Sequence, residues 1–263
     1  MNRKVLYDLK PDSYIHPMER KVRIESGSLL ANGLDFAGNL NLEFIKRITL
    51  GCNLEATRQT CPRIIRILED VCRILDCRNI PRVYISHAAS QTFYIAGGKK
   101  TQIVMSDYIL DQFTEGMLYH AFGNLISMLK AGHIRLATIC SMMVAFPHSE
   151  VLMLPVQALM RAADLTSDRG GLLACQDFGA SAMCMLWEAG IPISDMEEKS
   201  TSEMISLAEQ YIHASEWMSE TWLTGVAQAW NKLNMQTMPP AYRLKELLDW
   251  YRNGSYREIL ANA

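Results

Sequence analysis

His120 and Asn124 stand four residues apart in the run Met117-Leu118-Tyr119-His120-Ala121-Phe122-Gly123-Asn124-Leu125-Ile126. Residues i and i+4 share one face of a helix, so this spacing stacks an imidazole on an amide among apolar neighbours. An imidazole can bind a metal or exchange a proton near neutral pH. An amide offers only hydrogen bonds. A second pair with the same spacing is Asp164 and Asp168, followed by Arg169. The nearby Leu165, Leu172 and Leu173 argue against a merely solvated face. A lone histidine on an apolar helix is more often a hydrogen-bonded core residue than a ligand. His133 is the other candidate ligand. In a continuous helix it would lie about 20 Å from His120, too far to share a metal. A chain reversal at Ala131-Gly132 would change that distance, but the simpler reading is that His133 starts the next helix.

Other reactive residues carry less. The seven cysteines (Cys52, Cys61, Cys72, Cys77, Cys140, Cys175 and Cys184) include no Cys-x-x-Cys pair, and most sit in apolar helical surroundings. They read as reduced, mostly buried thiols, which places the chain in the cytoplasm. Cys72 and Cys77 do not converge on one metal from a helix, given their i,i+5 spacing. Gly97-Gly98-Lys99-Lys100 lacks the spacing of a phosphate loop and reads as a hairpin turn. The sixteen methionines are adaptable core filler.

The elements that must position these residues follow from periodicity. Pro62 opens an amphipathic helix to about Leu75, with Ile64, Ile65, Ile67, Leu68 and Val71 on its apolar face. The period then falls to two. Strands are expected at 83–85, 92–95 and 101–105. Thr114 caps a helix to Lys130. Helices are expected at 134–146, 150–167, 170–189, 201–215, 217–233, 241–252 and 255–261, with a short amphipathic stretch near 40–50. Residues before it read as an irregular arm. The expected fold is therefore α+β and predominantly helical, with a small sheet on the N-terminal side and helices after it. Its expected parts are an arm and helix over 1–60, a core over 61–200, and a helical extension over 201–263 packed on that core.

Of 263 residues, 49% are hydrophobic, enough for a sizeable core, and the net charge of −2 gives no electrostatic reason to expect nucleic acid or an anionic membrane. The first residues contain no apolar run, so no signal peptide is expected. The apolar runs between 134 and 160 are broken by Pro147-His148-Ser149-Glu150 and fall short of the roughly 20 residues of a membrane span. They read as two buried helices, with a helical hairpin touching a membrane or a partner as the alternative.

Three blocks carry a resemblance. Gln91-Thr92-Phe93-Tyr94-Ile95-Ala96-Gly97 precedes Ile103-Val104-Met105 and then His120-Ala121-Phe122-Gly123-Asn124. Arg161-Ala162-Ala163-Asp164-Leu165-Thr166-Ser167-Asp168-Arg169-Gly170-Gly171 follows. Met238-Pro239-Pro240, Arg243, Leu247 and Trp250 close the series. In this order they resemble the HtpX-like zinc metallopeptidases, gluzincins related to the CaaX proteases. There an edge strand and short helix lead to His-Glu-x-x-His, and a later helix bears Glu-x-x-x-Asp-Arg. The resemblance implies a zincin-like core over roughly residues 60–260.

It also implies a dismantled site. His120 keeps the first ligand position, Ala121 stands at the general-base position, Asn124 at the second ligand position, and Asp164 at the position of the third, usually Glu. Asp168 and Arg169 match the supporting pair. A neutral amide is a poor zinc ligand, and loss of the base costs about 10²–10⁴-fold in rate. No catalytic residue and no resident cofactor are therefore expected, with His120 and Asp164 as residual ligand positions for zinc. A His–Asn–Asp hydrogen-bonded network built from His120, Asn124 and Asp164 would satisfy the buried polar groups instead. The expected function is that of a pseudoenzyme. It would bind a peptide or protein without cleavage along an edge strand at Thr101–Met105, or serve as regulatory subunit of an active paralogue or a homo-oligomer. The alternative is a metal-dependent hydrolase with an atypical site at His120 and Asp164. Trp217, Trp222, Trp230, Trp250 and Tyr251 are candidate interface anchors, with core packing the commoner fate of such residues.

Overall fold

The computed structural model of the chain describes residues 3–23, 53–87, 93–97, 101–134, 150–217 and 238–262. The expected amphipathic stretch near 40–50, and nearly all of the expected helices at 134–146 and 217–233, lie outside these residues, as do Trp222 and Trp230. The N-terminal arm ends in a helical turn, α1 (17–23). Then follow β1 (Leu54–Ala56), α2 (Pro62–Ile74), β2 (Arg82–Ser86), β3 (Phe93–Gly97), β4 (Thr101–Ser106), α3 (Asp107–Gln112) and α4 (Glu115–Lys130). The remainder is helical: α5 (Glu150–Cys175), α6 (Phe178–Glu188), α7 (Thr201–Trp217), α8 (Pro240–Arg252) and α9 (Ser255–Ala261). The fold is α+β and mostly helical, with one small mixed sheet.

The sheet order is β1-β2-β4-β3. β2 and β4 run parallel, with Val83 opposite Ile103 and Ile85 opposite Met105. β3 pairs with β4 antiparallel, with Phe93 opposite Met105 and Ile95 opposite Ile103. This corrects the expected edge. The Thr101–Met105 strand is hydrogen-bonded on both sides and buried at every position, so it offers no free backbone to a peptide. Its three consecutive apolar residues, Ile103-Val104-Met105, belong to a strand covered on both faces. Among the described residues the edge beside the site helix is β3, whose Phe93 meets Phe122 of α4 edge-on at 5.7 Å between ring centroids.

The two helices that carry the candidate residues, α4 and α5, cross closely because glycine stands at the crossing. A Cβ on Gly123 would fall 2.4 Å from the Ala174 Cβ, and one on Gly170 would fall 2.1 Å from the Ser127 Cβ. The sequence pattern predicts a break near 168–169, but α5 runs through Gly170-Gly171. These glycines serve close backbone approach rather than chain reversal. The break comes at Gln176, which adopts φ 53°. Asp177 then caps α6, its Oδ1 accepting from the amides of Gly179 at 2.8 Å and Ala180 at 3.3 Å.

One core joins the arm, the sheet and the C-terminal helices. Leu6, Leu9 and Tyr14 share it with Ile67, Phe122, Leu172, Ala208 and Leu247. Trp250 is 3% exposed and packs on Tyr256, so this tryptophan is a core residue and not a surface anchor.

Candidate functional site

Thr114 starts the site helix as expected, its hydroxyl accepting from the Met117 amide at 3.3 Å. From there His120 and Asn124 face α5. The His120 ring lies flat enough against that helix that a Cβ on Gly171 would come 2.6 Å from its Nδ1 and Cε1. The histidine is 4% exposed, and its buried Nδ1 has no hydrogen-bond partner among the described residues.

The polar network that does form centres on Asp168. Its Oδ1 accepts from Asn124 Nδ2 at 3.0 Å and from Arg243 Nη2 at 2.6 Å, and its Oδ2 accepts from Arg243 Nε at 2.8 Å. This is a bidentate, charge-assisted pair between side chains that are 1% and 11% exposed. Arg243 Nη1 reaches on to Glu188 Oε2 at 2.5 Å. Asp164 sits one turn before Asp168, and its Oδ2 accepts from the Met238 amide at 2.9 Å. The amide of Asn124 thus takes the place expected of it, but its partner is Asp168 and not Asp164.

Arg243 is the residue that reading by local spacing did not place in the site. It belongs to the third block of the resemblance, and the Pro239-Pro240 start of α8 aims it there. Arg169 departs from expectation in the opposite sense. Its guanidinium points away, towards the Tyr14 and Ile15 carbonyls at 3.5 Å each, and lies 5.1 Å over the Trp250 ring. It anchors the N-terminal arm. Adjacent residues of a helix differ by about 100°, so Arg169 cannot share the face of Asp168.

Burial and charge set the protonation states. Burial pushes the His120 imidazole down to about 4, with Arg243 opposing its charge and Asp168 favouring it less strongly than burial disfavours it. Burial pushes Asp164 up to about 7, against the pull of Arg243 and the Met238 amide and with the added repulsion of Asp168 and Glu188. At neutral pH His120 is uncharged, and the site's resident cation is a guanidinium.

His133 lies elsewhere, in a second buried cluster. Gly132, at φ 77°, turns the chain after α4, and the His133 amide donates back to the Met128 carbonyl at 2.9 Å. The imidazole Nε2 meets Glu19 Oε1 at 2.6 Å. Arg23 Nε donates to the same oxygen at 2.7 Å, and Thr166 donates to Oε2. Burial raises the Glu19 carboxyl, but His133, Thr166 and Arg23 outweigh it and hold it below its ordinary value. Nothing local in the sequence pairs Glu19 with His133, which stands 114 residues away.

No family model matches the chain, and no solved structure does. A curated relative does. Plastoglobule-localized metallopeptidase 48, chloroplastic, of Arabidopsis thaliana, is 22% identical over 276 aligned residues, which span 97% of this chain and 77% of the relative. This chain is metallopeptidase-like. The likeness runs nearly end to end, through both helices of the candidate site.

Among the described residues, no group of three or more His, Cys, Asp or Glu side chains is placed to hold a metal. Asn124 is committed to Asp168, Asp168 to Arg243, and one oxygen of Asp164 to a backbone amide. Among the described residues, no helix is long and apolar enough to cross a membrane. Most of the 134–160 stretch, where membrane or partner contact was the alternative, lies outside them.

The two shifted groups make a pH prediction. A carboxyl raised from 3.8 to about 7 keeps its proton in the fold while the unfolded chain loses it. Its contribution to stability therefore falls by about 1.4 kcal/mol per pH unit from about pH 4 to 7. An imidazole lowered from 6.5 to about 4 has the opposite sign, since the unfolded chain takes up the proton. Its contribution rises with pH across about 4 to 6.5. The two nearly cancel in the wild-type chain. Urea denaturation of Asp164→Asn should show stability rising between pH 4.5 and 6.5 relative to wild type, and His120→Gln should show it falling. Parallel profiles for all three proteins would disprove the assignment.

Proposed function

We propose that this chain is a catalytically inactive, HtpX-like metallopeptidase homologue with a zincin-like core, which binds a peptide or protein segment without cleaving it. The observation that carries the reading is the closed set Asn124–Asp168–Arg243. A guanidinium fixed by three hydrogen bonds, two to Asp168 and one to Glu188, supplies the positive charge beside His120 and Asp164. Ala121 stands where the general base would be and has no titratable group. The end-to-end likeness to a metallopeptidase supports the frame, and the departures at 121 and 124 support loss of hydrolysis.

Among the described residues the outer side of β3 pairs with no other strand, and it is the surface this reading assigns to the partner, by addition of an extended strand. It lies beside the site helix, as the contact between Phe93 and Phe122 indicates. The partner would be an unfolded segment, an active paralogue under its regulation, or a second copy of the chain. The described cysteines are free thiols, which suits a reducing compartment, and the reading keeps the chain cytoplasmic. The alternative, a metal-dependent hydrolase using His120 and Asp164, has less support because only two donors remain.

Elemental analysis of purified protein, joined to a casein-cleavage assay with and without chelator, separates the two. The expected result is far less than one zinc per chain and no chelator-sensitive cleavage. About one zinc per chain, lost in His120→Ala, would establish the alternative. Ala121→Glu combined with Asn124→His is expected to gain zinc over wild type. An imidazole at position 124 can donate to Asp168 with one nitrogen and present the other to a metal, the usual carboxylate–histidine arrangement.

A further inference from the structure

The end of α2 brings two cysteines together in a way the linear spacing conceals. Five residues apart on a continuous helix, Cys72 and Cys77 would point to different sides. The helix stops between them. Asp76 adopts φ 50°, its amide donates to the Arg73 carbonyl at 3.3 Å, and the Cys77 amide donates to the Cys72 carbonyl at 2.7 Å. This paired 5→2 and 6→1 pattern folds the residue after the left-handed position back on the last turn and sets its side chain against that of Cys72. This pattern commonly brings the side chains at these two positions into contact, and each thiol shifts the titration of the other. Cys72 is 2% exposed, whereas Cys77 is half-buried and opens towards solvent.

The surroundings favour reaction at Cys77. Lys130 Nζ donates to the Leu9 carbonyl at 2.8 Å, the Asp76 carbonyl at 3.0 Å and the Leu75 carbonyl, which fixes an ammonium at this helix end. The Cys77 thiol also bonds the Asn79 carbonyl at 3.5 Å. The neighbouring Cys72 thiol, with help from Asn79 and Lys130 and against burial and Asp76, brings the Cys77 thiol down to about 7. Cys77 and burial push Cys72 well up. One sulfur is therefore a nucleophile at neutral pH, and the other holds the proton.

We propose that Cys77 and Cys72 form a redox-active dithiol, in which a hydroperoxide oxidises Cys77 and Cys72 then closes an intramolecular disulfide. In the first step the Cys77 sulfur takes the terminal peroxide oxygen, the O–O bond breaks, and the released oxyanion leaves as water or alcohol with a proton. In the second, the Cys72 sulfur attacks the Cys77 sulfenic acid, the S–O bond breaks, and the hydroxide departs as water with the Cys72 proton. Two thiols lose two electrons and two protons, and the peroxide gains them. The pair is separate from the His120 site and does not depend on its reading. Leu6 donates its amide to the Ile74 carbonyl of the same helix end at 2.8 Å, so the bond forms under the docked N-terminal arm.

Trypsin makes the test direct. Arg66, Arg73 and Arg78 place the two cysteines in separate peptides, Ile67–Arg73 and Ile74–Arg78. Native full-length protein is treated with hydrogen peroxide, alkylated and digested. The expected product is these two peptides joined, lighter than their sum by two hydrogens and separated by dithiothreitol, while Cys61 on the same helix stays alkylated. In Cys72→Ser, Cys77 should persist as a sulfenic acid trapped by dimedone. Oxidation of Cys77 by peroxide should be roughly fivefold faster in the native chain than in denaturant, given the thiolate fraction gained against the nucleophilicity lost. Two freely alkylated peptides after peroxide, linkage of Cys77 to another cysteine, or equal rates in native and denatured chain would each overturn the proposal.

Discussion

Arg243→Met is expected to destabilise the fold by about 3–5 kcal/mol, the usual cost of removing one partner from a buried, hydrogen-bonded ion pair. Asp168, 1% exposed, would keep a single hydrogen bond, from Asn124, and its charge would be left without a counter-ion in an apolar setting. The attraction itself contributes less than this, because both groups were desolvated to make it. The double variant Arg243→Met with Asp168→Leu should therefore recover most of the loss. Chemical denaturation of the wild type, both single variants and the double variant measures the coupling directly. A single variant within 1 kcal/mol of wild type would mean that the guanidinium does not close the site.

The helix crossing supplies the second large effect. Gly170→Ala should cost about 2 kcal/mol net, since two terms of opposite sign compete. Alanine gains about 1 kcal/mol over glycine in a helix interior. Overpacking at a contact that cannot yield costs about 3 kcal/mol. The new Cβ would lie 2.1 Å from the Ser127 Cβ and 2.3 Å from its Oγ, neither of them the far end of a flexible side chain. Ser127→Ala keeps the clashing carbon and should give no relief, whereas Ser127→Gly should restore most of the loss. Thermal unfolding of the three combinations decides the matter, and Gly170→Ala with wild-type stability would show that α4 and α5 do not meet there. Because α4 carries His120 and Asn124 while α5 carries Asp164 and Asp168, this contact also sets the spacing of the site.

Much of the candidate site is local, and local spacing makes it legible. Thr114 as a cap and the 120/124 and 164/168 pairs follow from residue types at helical intervals, because i and i+4 share a face whatever the rest of the chain does. Arg169 was separable on the same ground, being about 100° round the helix from Asp168. The end of α5 was not read from the sequence. The expected helices met at 168–169, whereas the helix runs to Cys175, and only the crossing helix shows why Gly170-Gly171 lie inside it.

What the tertiary structure alone decided are the long-range pairings. Arg243 meets Asp168 across 75 residues, and Glu19 meets His133 across 114. No periodicity encodes such partners, which depend on how separate helices pack. Strand order is non-local in the same way. The buried pattern of Ile103-Val104-Met105 was visible in the chain, but which strand held the edge was settled by the parallel pairing of β2 with β4. From the sequence by itself came a helical frame with two polar pairs. The fold determined that a guanidinium, not His120, is the partner Asp168 holds, since charge that is buried must find its counter-charge wherever packing brings one.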